Sequence, residues 1–249
     1  MEKTLNTLEK FSLYLTIFLL PIAVLPIFPN PFGPIKIAVL AFGVALTLLF
    51  CSLKTLTSGR LEFSMGKYDI GVLIIALSYI LSAILRTPNK MEAFFLPGTT
   101  TIIIASTLLY YLILKNKASK GNVIVTLFIS GIFVAVFSLL AYSGILAKIP
   151  QLPAFMKDPN FNTLGGNLPT AIFLGSLIPL SLGALIKERD TSIKAFAGVS
   201  LVVIGLTLAL LIFNMLPGKV TTPRLPTFNT SWSIAVDTLK ERPFLGIGP

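Results

Sequence analysis

NVIVTLFISGIFVAVFSLLAYSGIL, Asn122 to Leu146, is a run of 25 residues without a single acid or base. A helix advances about 1.5 Å per residue and the hydrocarbon core of a bilayer is about 30 Å thick, so roughly 20 apolar residues are enough to cross it. The stretch therefore reads as a membrane-spanning helix. Six further runs of the same character occur at 11–28, 36–53, 69–85, 94–114, 168–186 and 195–216, and the charged Asp69, Lys36 and Lys194 stand only at their edges. The first run follows Lys3 and Lys10 in the manner of a signal peptide, but it has no small-residue cleavage site and runs into PIFPNPFGP, so it reads as an uncleaved first helix. The expected fold is all-α: a polytopic integral membrane protein of about seven transmembrane helices, with a short external amphipathic helix at the C-terminus. Residues 1–216 make up the transmembrane domain and residues 217–249 begin an external loop.

Composition agrees with this. The chain is 54% hydrophobic and 12% charged, with a mean hydropathy of +0.87, whereas soluble domains carry about 25% charged residues. The net charge of +10 does not point to nucleic acid, because the basic residues sit in short loops between apolar runs, where they set membrane orientation. Cys51 is the only cysteine, so no intrachain disulfide can form, and histidine is absent. The commonest general base and the commonest metal ligand are thus both missing. With no metal-ligand cluster, Gly-rich phosphate loop or nucleophile elbow, neither a metal nor a cofactor is expected.

The loops differ in charge and in kind. Lys3, Lys10, Lys54, Arg60, Lys67, Lys115, Lys117, Lys120, Lys187, Arg189 and Lys194 fall on one side of the alternation; Lys36, Arg86, Lys90, Lys148 and Lys157 fall on the other. Eleven against five places the richer side, and the N-terminus, in the cytoplasm; the four basic residues of the tail oppose the rule, and the six-residue excess elsewhere outweighs them. Seven crossings then carry the C-terminal segment to the external face of a cell membrane. The external loops FPNPFGPIK, RTPNKMEAFFLPG and KIPQLPAFMKDPNFNTLGGNLP are rich in Pro, Gly, Phe and Asn. Such residues shape irregular backbone, and a loop of this length is seldom an idle connector.

The candidate chemistry lies on that face. Arg224 stands between Pro223 and the Leu225–Pro226 pair, where a guanidinium can offer a diphosphate its planar fork of donors; a solvated or headgroup-facing arginine is the plainer alternative. Lys36 opens the second run and either snorkels to the interface or binds an anion. Arg86, with Lys90, extends the basic external surface. In SWSIAVDTLKERPFLGIGP, Ser231 to Pro249, Thr230 or Ser231 can cap a helix whose Trp232, Ala235, Val236 and Leu239 form one apolar stripe. Pro243 helps to end it, and Gly246 and Gly248 allow a sharp turn close to a neighbour. Taken by themselves these residues describe a helix on the membrane surface with Trp232 as an interfacial anchor.

The tail, W-x(2)-A followed by RPFLGIGP, resembles the recurring segment of the O-antigen ligase/polymerase superfamily of bacterial membrane proteins. FGPIKIAVL, residues 32–40, is similar to that family's early lysine-bearing span, and DPNFNTLGGNLPTAIFLGSLIPLSLG, residues 158–183, resembles the segment that leads into a span after a long external loop. The resemblance implies a glycosyltransferase that takes a glycan from an undecaprenyl-diphosphate donor at the outer face of the cytoplasmic membrane. The acceptor is a hydroxyl of a lipid or glycan, and neither metal nor nucleotide sugar takes part. It implies Arg224 as the catalytic arginine on the diphosphate, and Lys36, Arg86, Asn162, Trp232, Gly246 and Gly248 as substrate-binding residues. The family's external-loop histidine has no counterpart here. Family members continue past the G-x-G segment, so the chain reads as the N-terminal portion of such a protein. A lipid-linked-sugar flippase or transporter would place ionisable residues within the spans, and none stands there. A structural multi-span subunit accounts for the composition but not for the Pro/Gly/Phe-rich external loops.

Overall fold

A computed structural model describes residues 2–59, 66–95, 98–115, 120–215 and 228–241. Every regular element among them is helical: α1 Glu2–Ile22, α2 Gly33–Ser58, α3 Asp69–Leu85, α4 Lys90–Phe94, α5 Thr99–Lys115, α6 Lys120–Tyr142, α7 Asn167–Lys187, α8 Thr191–Met215 and α9 Phe228–Glu241, with short 3-10 turns at Leu146–Lys148 and Ala154–Lys157. Among the described residues, Gly33–Ser58, Gly121–Tyr142, Asn167–Lys187 and Thr191–Met215 are each long and apolar enough to cross a membrane, and a fifth span of that length and composition, Lys90–Lys115, takes in both α4 and α5. Asp69–Leu85 coincides with an expected run but has only 17 residues. In α1 the charges of Glu2, Lys3, Glu9 and Lys10 leave a shorter apolar part.

Several boundaries depart from the hydropathy runs for local reasons. The first helix stops at Ile22 rather than near residue 28: its last helical bond runs from Ala23 N–H to the Leu19 carbonyl, and Leu25, whose helical conformation Pro26 disfavours, turns its N–H to the Pro31 carbonyl at 3.1 Å. The run at 94–114 divides into α4 and α5, with Gly98 at φ +66° between them. That left-handed backbone suits glycine and interrupts helix geometry. The run at 122–146 ends at Tyr142, ahead of Gly144 at φ +72°. The tail helix begins at Phe228, two residues before the earlier of its expected caps.

The chain divides into two compact units: the described residues of Met1–Lys10, Leu40–Lys117 and Arg224–Pro249, and those of Phe11–Val39 and Ala118–Pro223. In the second unit α6, α7 and α8 pack around Val134, Ala135, Leu174, Leu177, Ile204, Leu208 and Leu211. Gly131 lets α7 approach closely, since a Cβ there would collide with a methyl of Leu177. Ser181 and Ser200 hydrogen-bond across α7 and α8 at 3.0 Å. In the first unit α3 packs on α5, and the Tyr110 hydroxyl donates to Asp69 at 2.9 Å. Large apolar side chains also point outward along these helices, among them Phe42 (76% exposed), Ile70 (76%) and Val202 (71%). A surface of this kind fits hydrocarbon surroundings better than water.

Candidate functional site at the Lys36 junction

Helix α1 ends with carbonyls that have no partner within the helix, and the dipole makes that end negative. The turn that follows is shaped by Asn30, whose Oδ1 accepts from the N–H groups of Phe32 (3.0 Å) and Gly33 (3.3 Å) at the start of α2. One turn into α2 stands Lys36, and its ammonium reaches back to the end of α1. Nζ donates to the carbonyl of Ala23 at 2.9 Å, to that of Thr163 at 2.8 Å and, at longer range, to that of Pro21 at 3.4 Å. Its three protons thus meet three backbone oxygens, one of them 127 residues away in the chain. A cation at the carbonyl end of a helix answers both the unpaired oxygens and the dipole.

The loop ahead of α7 is built to present Thr163. Asn162 is buried; its Nδ2 donates to the Asn160 carbonyl at 3.2 Å and to Asn167 Oδ1 at 3.1 Å. Its Oδ1 accepts from Gly166 N–H at 2.7 Å, which satisfies a donor at the α7 N-terminus. Gly165 has φ +85° and lies against the Phe32 ring, which a Cβ would meet at 2.9 Å. Phe32, Phe155 and Phe161 form an aromatic cluster with ring centroids 5.8 to 6.3 Å apart. The long loop between α6 and α7 is therefore packed and pinned to the α1–α2 turn. Beside it a cavity of about 20 Å³ is lined in part by Ser138, Tyr142, Asn160, Asn167, Thr207 and Asn214. That is room for one water or one hydroxyl group.

Among the residues expected to bind substrate, Lys36 and Asn162 come together here, on adjacent sides of Thr163. Lys36 spends its donors on backbone, and the Asn162 amide is likewise occupied within its loop. Arg86 is exposed at the C-terminal end of α3, and its own N–H bonds the Ser82 carbonyl at 2.9 Å. Trp232 lies on α9, exposed and stacked on Phe228 with centroids 6.1 Å apart. Both belong to the first unit. Arg224, Gly246 and Gly248, with Pro243, lie outside the described residues.

One polar cluster escaped the sequence reading. Glu9 has a fully buried carboxylate, with Oε2 3.3 Å from Lys54 Nζ and Oε1 3.8 Å from Lys115 Nζ. Lys54 also donates to Asn6 Oδ1 at 2.8 Å, and Lys115 donates to Cys51 Sγ. The available signal was an acid two residues ahead of an apolar run, on the side where the basic residues gather. No protein-family model, no curated protein and no solved structure matches this chain.

Proposed function

We propose that this chain belongs to an O-antigen ligase/polymerase-like membrane glycosyltransferase. It takes a glycan from an undecaprenyl-diphosphate donor at the outer face of the cytoplasmic membrane and passes it to a lipid or glycan hydroxyl. The observation that carries this reading is the Lys36–Thr163 bond. The two internal segments that bear the family resemblance, 32–40 and 158–183, are far apart in sequence, yet Lys36 Nζ joins them at 2.8 Å. A loop held this firmly can present a fixed surface to a lipid-borne sugar, and fixed donors are what a transition state rewards.

The membrane arrangement proposed is seven crossings with a cytoplasmic N-terminus. Two groupings support it. The α1 end, the α2 start and the loop before α7, all assigned by loop charge to the external side, meet at Lys36. Glu9, Lys54 and Lys115, assigned to the cytoplasmic side, meet one another.

In the transfer, the bond between the sugar carbon and the diphosphate oxygen breaks, and its electron pair stays on the diphosphate. The acceptor oxygen forms the new bond, and its proton passes to the departing diphosphate. Arg224 stabilises the leaving diphosphate, whose negative charge grows as the bond breaks, so its contribution is larger in the transition state than in the ground state. The rival flippase reading gains little, because the buried polar side chains Ser138, Ser181, Ser200 and Thr207 of α6 to α8 bond their own helices or each other.

The test uses the protein expressed from its natural reading frame, in nanodiscs, with a radiolabelled undecaprenyl-diphosphate oligosaccharide and an acceptor lipid. Arg224→Ala is expected to lower turnover about 10²- to 10³-fold, and Arg224→Lys to recover only part of it because the bidentate fork is lost. Arg242→Ala should leave turnover unchanged. Wild-type turnover in Arg224→Ala at saturating donor would remove the diphosphate assignment, and a wild-type protein that neither binds nor consumes the donor would remove the enzyme reading.

A further inference from the structure

Helix α9 has an apolar face that the fold leaves uncovered. Phe228, Trp232, Ala235, Val236 and Leu239 recur at intervals of three and four and so share one stripe, about 100° wide. Phe228 is 78% exposed, Trp232 62% and Leu239 60%. Asn229, Ser233, Asp237 and Lys240 lie off this stripe, and the helix from Phe228 to Glu241 carries Asp237, Lys240 and Glu241 as its only charges.

We propose that α9 lies flat in the headgroup–acyl boundary of the bilayer, its stripe turned into the lipid. The proposal rests on the chain crossing a membrane and not on which reaction it catalyses. Three observations select lipid as the occupant. Helix α8 is long and apolar enough to cross the membrane and ends at Met215, so only twelve residues separate it from Phe228. That tether allows at most about 45 Å, which keeps α9 in the neighbourhood of the membrane surface. The stripe is led by a stacked Phe–Trp pair, and amphipathic aromatic rings are the side chains that favour the interface. The stripe also offers roughly 500 Å², taking 150–250 Å² for a whole aromatic side chain, less than the about 800 Å² per partner of a stable protein interface. With more acid than base on the helix, attachment depends on apolar burial and not on anionic lipid.

Trp232 is the only tryptophan in the chain, so its emission reports on α9 alone. The protein is reconstituted in liposomes of zwitterionic lipid, recovered by flotation, and examined with lipids brominated high or low on the acyl chain. The expected result is loss of emission with the high-brominated lipid, a smaller loss with the low-brominated one, and little quenching by iodide added on both sides. Replacing half of the lipid by an anionic one, or raising the salt, should leave the pattern unchanged. Phe228→Gln with Leu239→Gln should reduce bromine quenching and restore iodide quenching. A second measurement stands apart from the tryptophan: in a Cys51→Ser background, Ser233→Cys is expected to react with a water-soluble maleimide and Ala235→Cys to be protected. Free iodide access in the unsubstituted protein would overturn the proposal. Protection from both quenchers would also overturn it, since the stripe would then be covered by protein. A chain that fails to float with the liposomes would overturn the membrane reading and this docking with it.

Discussion

Replacing Lys36 by methionine removes the ammonium while keeping most of the apolar stem, so the loss is confined to the three carbonyl contacts. Two of these are short, 2.9 Å to Ala23 and 2.8 Å to Thr163, and the third, to Pro21, is 3.4 Å and contributes little. A hydrogen bond to a charged group is worth about 1.5–3 kcal/mol. The site is only partly buried, and water can reach part of the vacated space, so the low end applies to each of the two good bonds. The expected loss is about 3 kcal/mol, or about 10²-fold in the opening equilibrium. It should appear as local opening of the pinned loop and the α1 end, because α6 to α8 keep their own core. Hydrogen-exchange mass spectrometry in nanodiscs reads this directly: peptides covering residues 160–167 and 19–25 should exchange about 10²-fold faster, while α6 and α8 peptides should not change. Lys36→Arg should fall between the two, since a planar fork cannot meet three converging carbonyls as an ammonium does. Unchanged protection at 160–167 in Lys36→Met would refute the view that this cation holds the loop. So would a uniform rise across every helix.

Other perturbations test the remaining contacts. Glu9→Gln leaves Lys54 and Lys115 facing each other without their carboxylate and should lower the thermal midpoint in detergent clearly more than Glu2→Gln does; combining Glu9→Gln with Lys115→Met should recover part of the loss, and equal midpoints for the two single variants would count against the buried pairing. Gly131→Ala forces Leu177 to move within the α6–α7–α8 core and should cost about 1–3 kcal/mol, read as a lower midpoint, with Leu177→Ala in the same chain relieving it. Gly165→Ala combines a left-handed backbone with the Phe32 ring; Phe32→Ala should therefore fail to restore its loop protection, and full restoration would show that the ring alone was at fault.

Much of the helical content was legible in the sequence because the relevant physics is local. In hydrocarbon a backbone must satisfy its own hydrogen bonds, so an unbroken apolar run of sufficient length becomes a helix whatever its neighbours are. Thus Asp69–Leu85 coincides with its apolar run, Asn167–Lys187 and Thr191–Met215 lie within a few residues of theirs, and the α9 stripe follows from helical spacing alone. The misplaced ends were also local, but they turned on single residues, Pro26, Gly98 and Gly144, that an average over a hydropathy window conceals.

The contacts of Lys36, Asn162 and Glu9 came only with the tertiary structure. A lysine at the mouth of a span can snorkel, bind an anion or cap a helix, and its sequence surroundings are the same in all three cases. The choice depends on which oxygens arrive within 3 Å of its nitrogen. Here Thr163 comes from a loop 127 residues away, placed by the Asn162 amide and the Phe32–Phe155–Phe161 cluster. Glu9, next to an apolar run, looked like an ordinary edge charge until α2 and α5 brought Lys54 and Lys115 to it. Charge and hydrogen bonding act over a few ångströms in space, and sequence distance does not report that separation. Hydropathy belongs to each residue by itself, whereas a charge acquires its role only from the partners that the fold places around it.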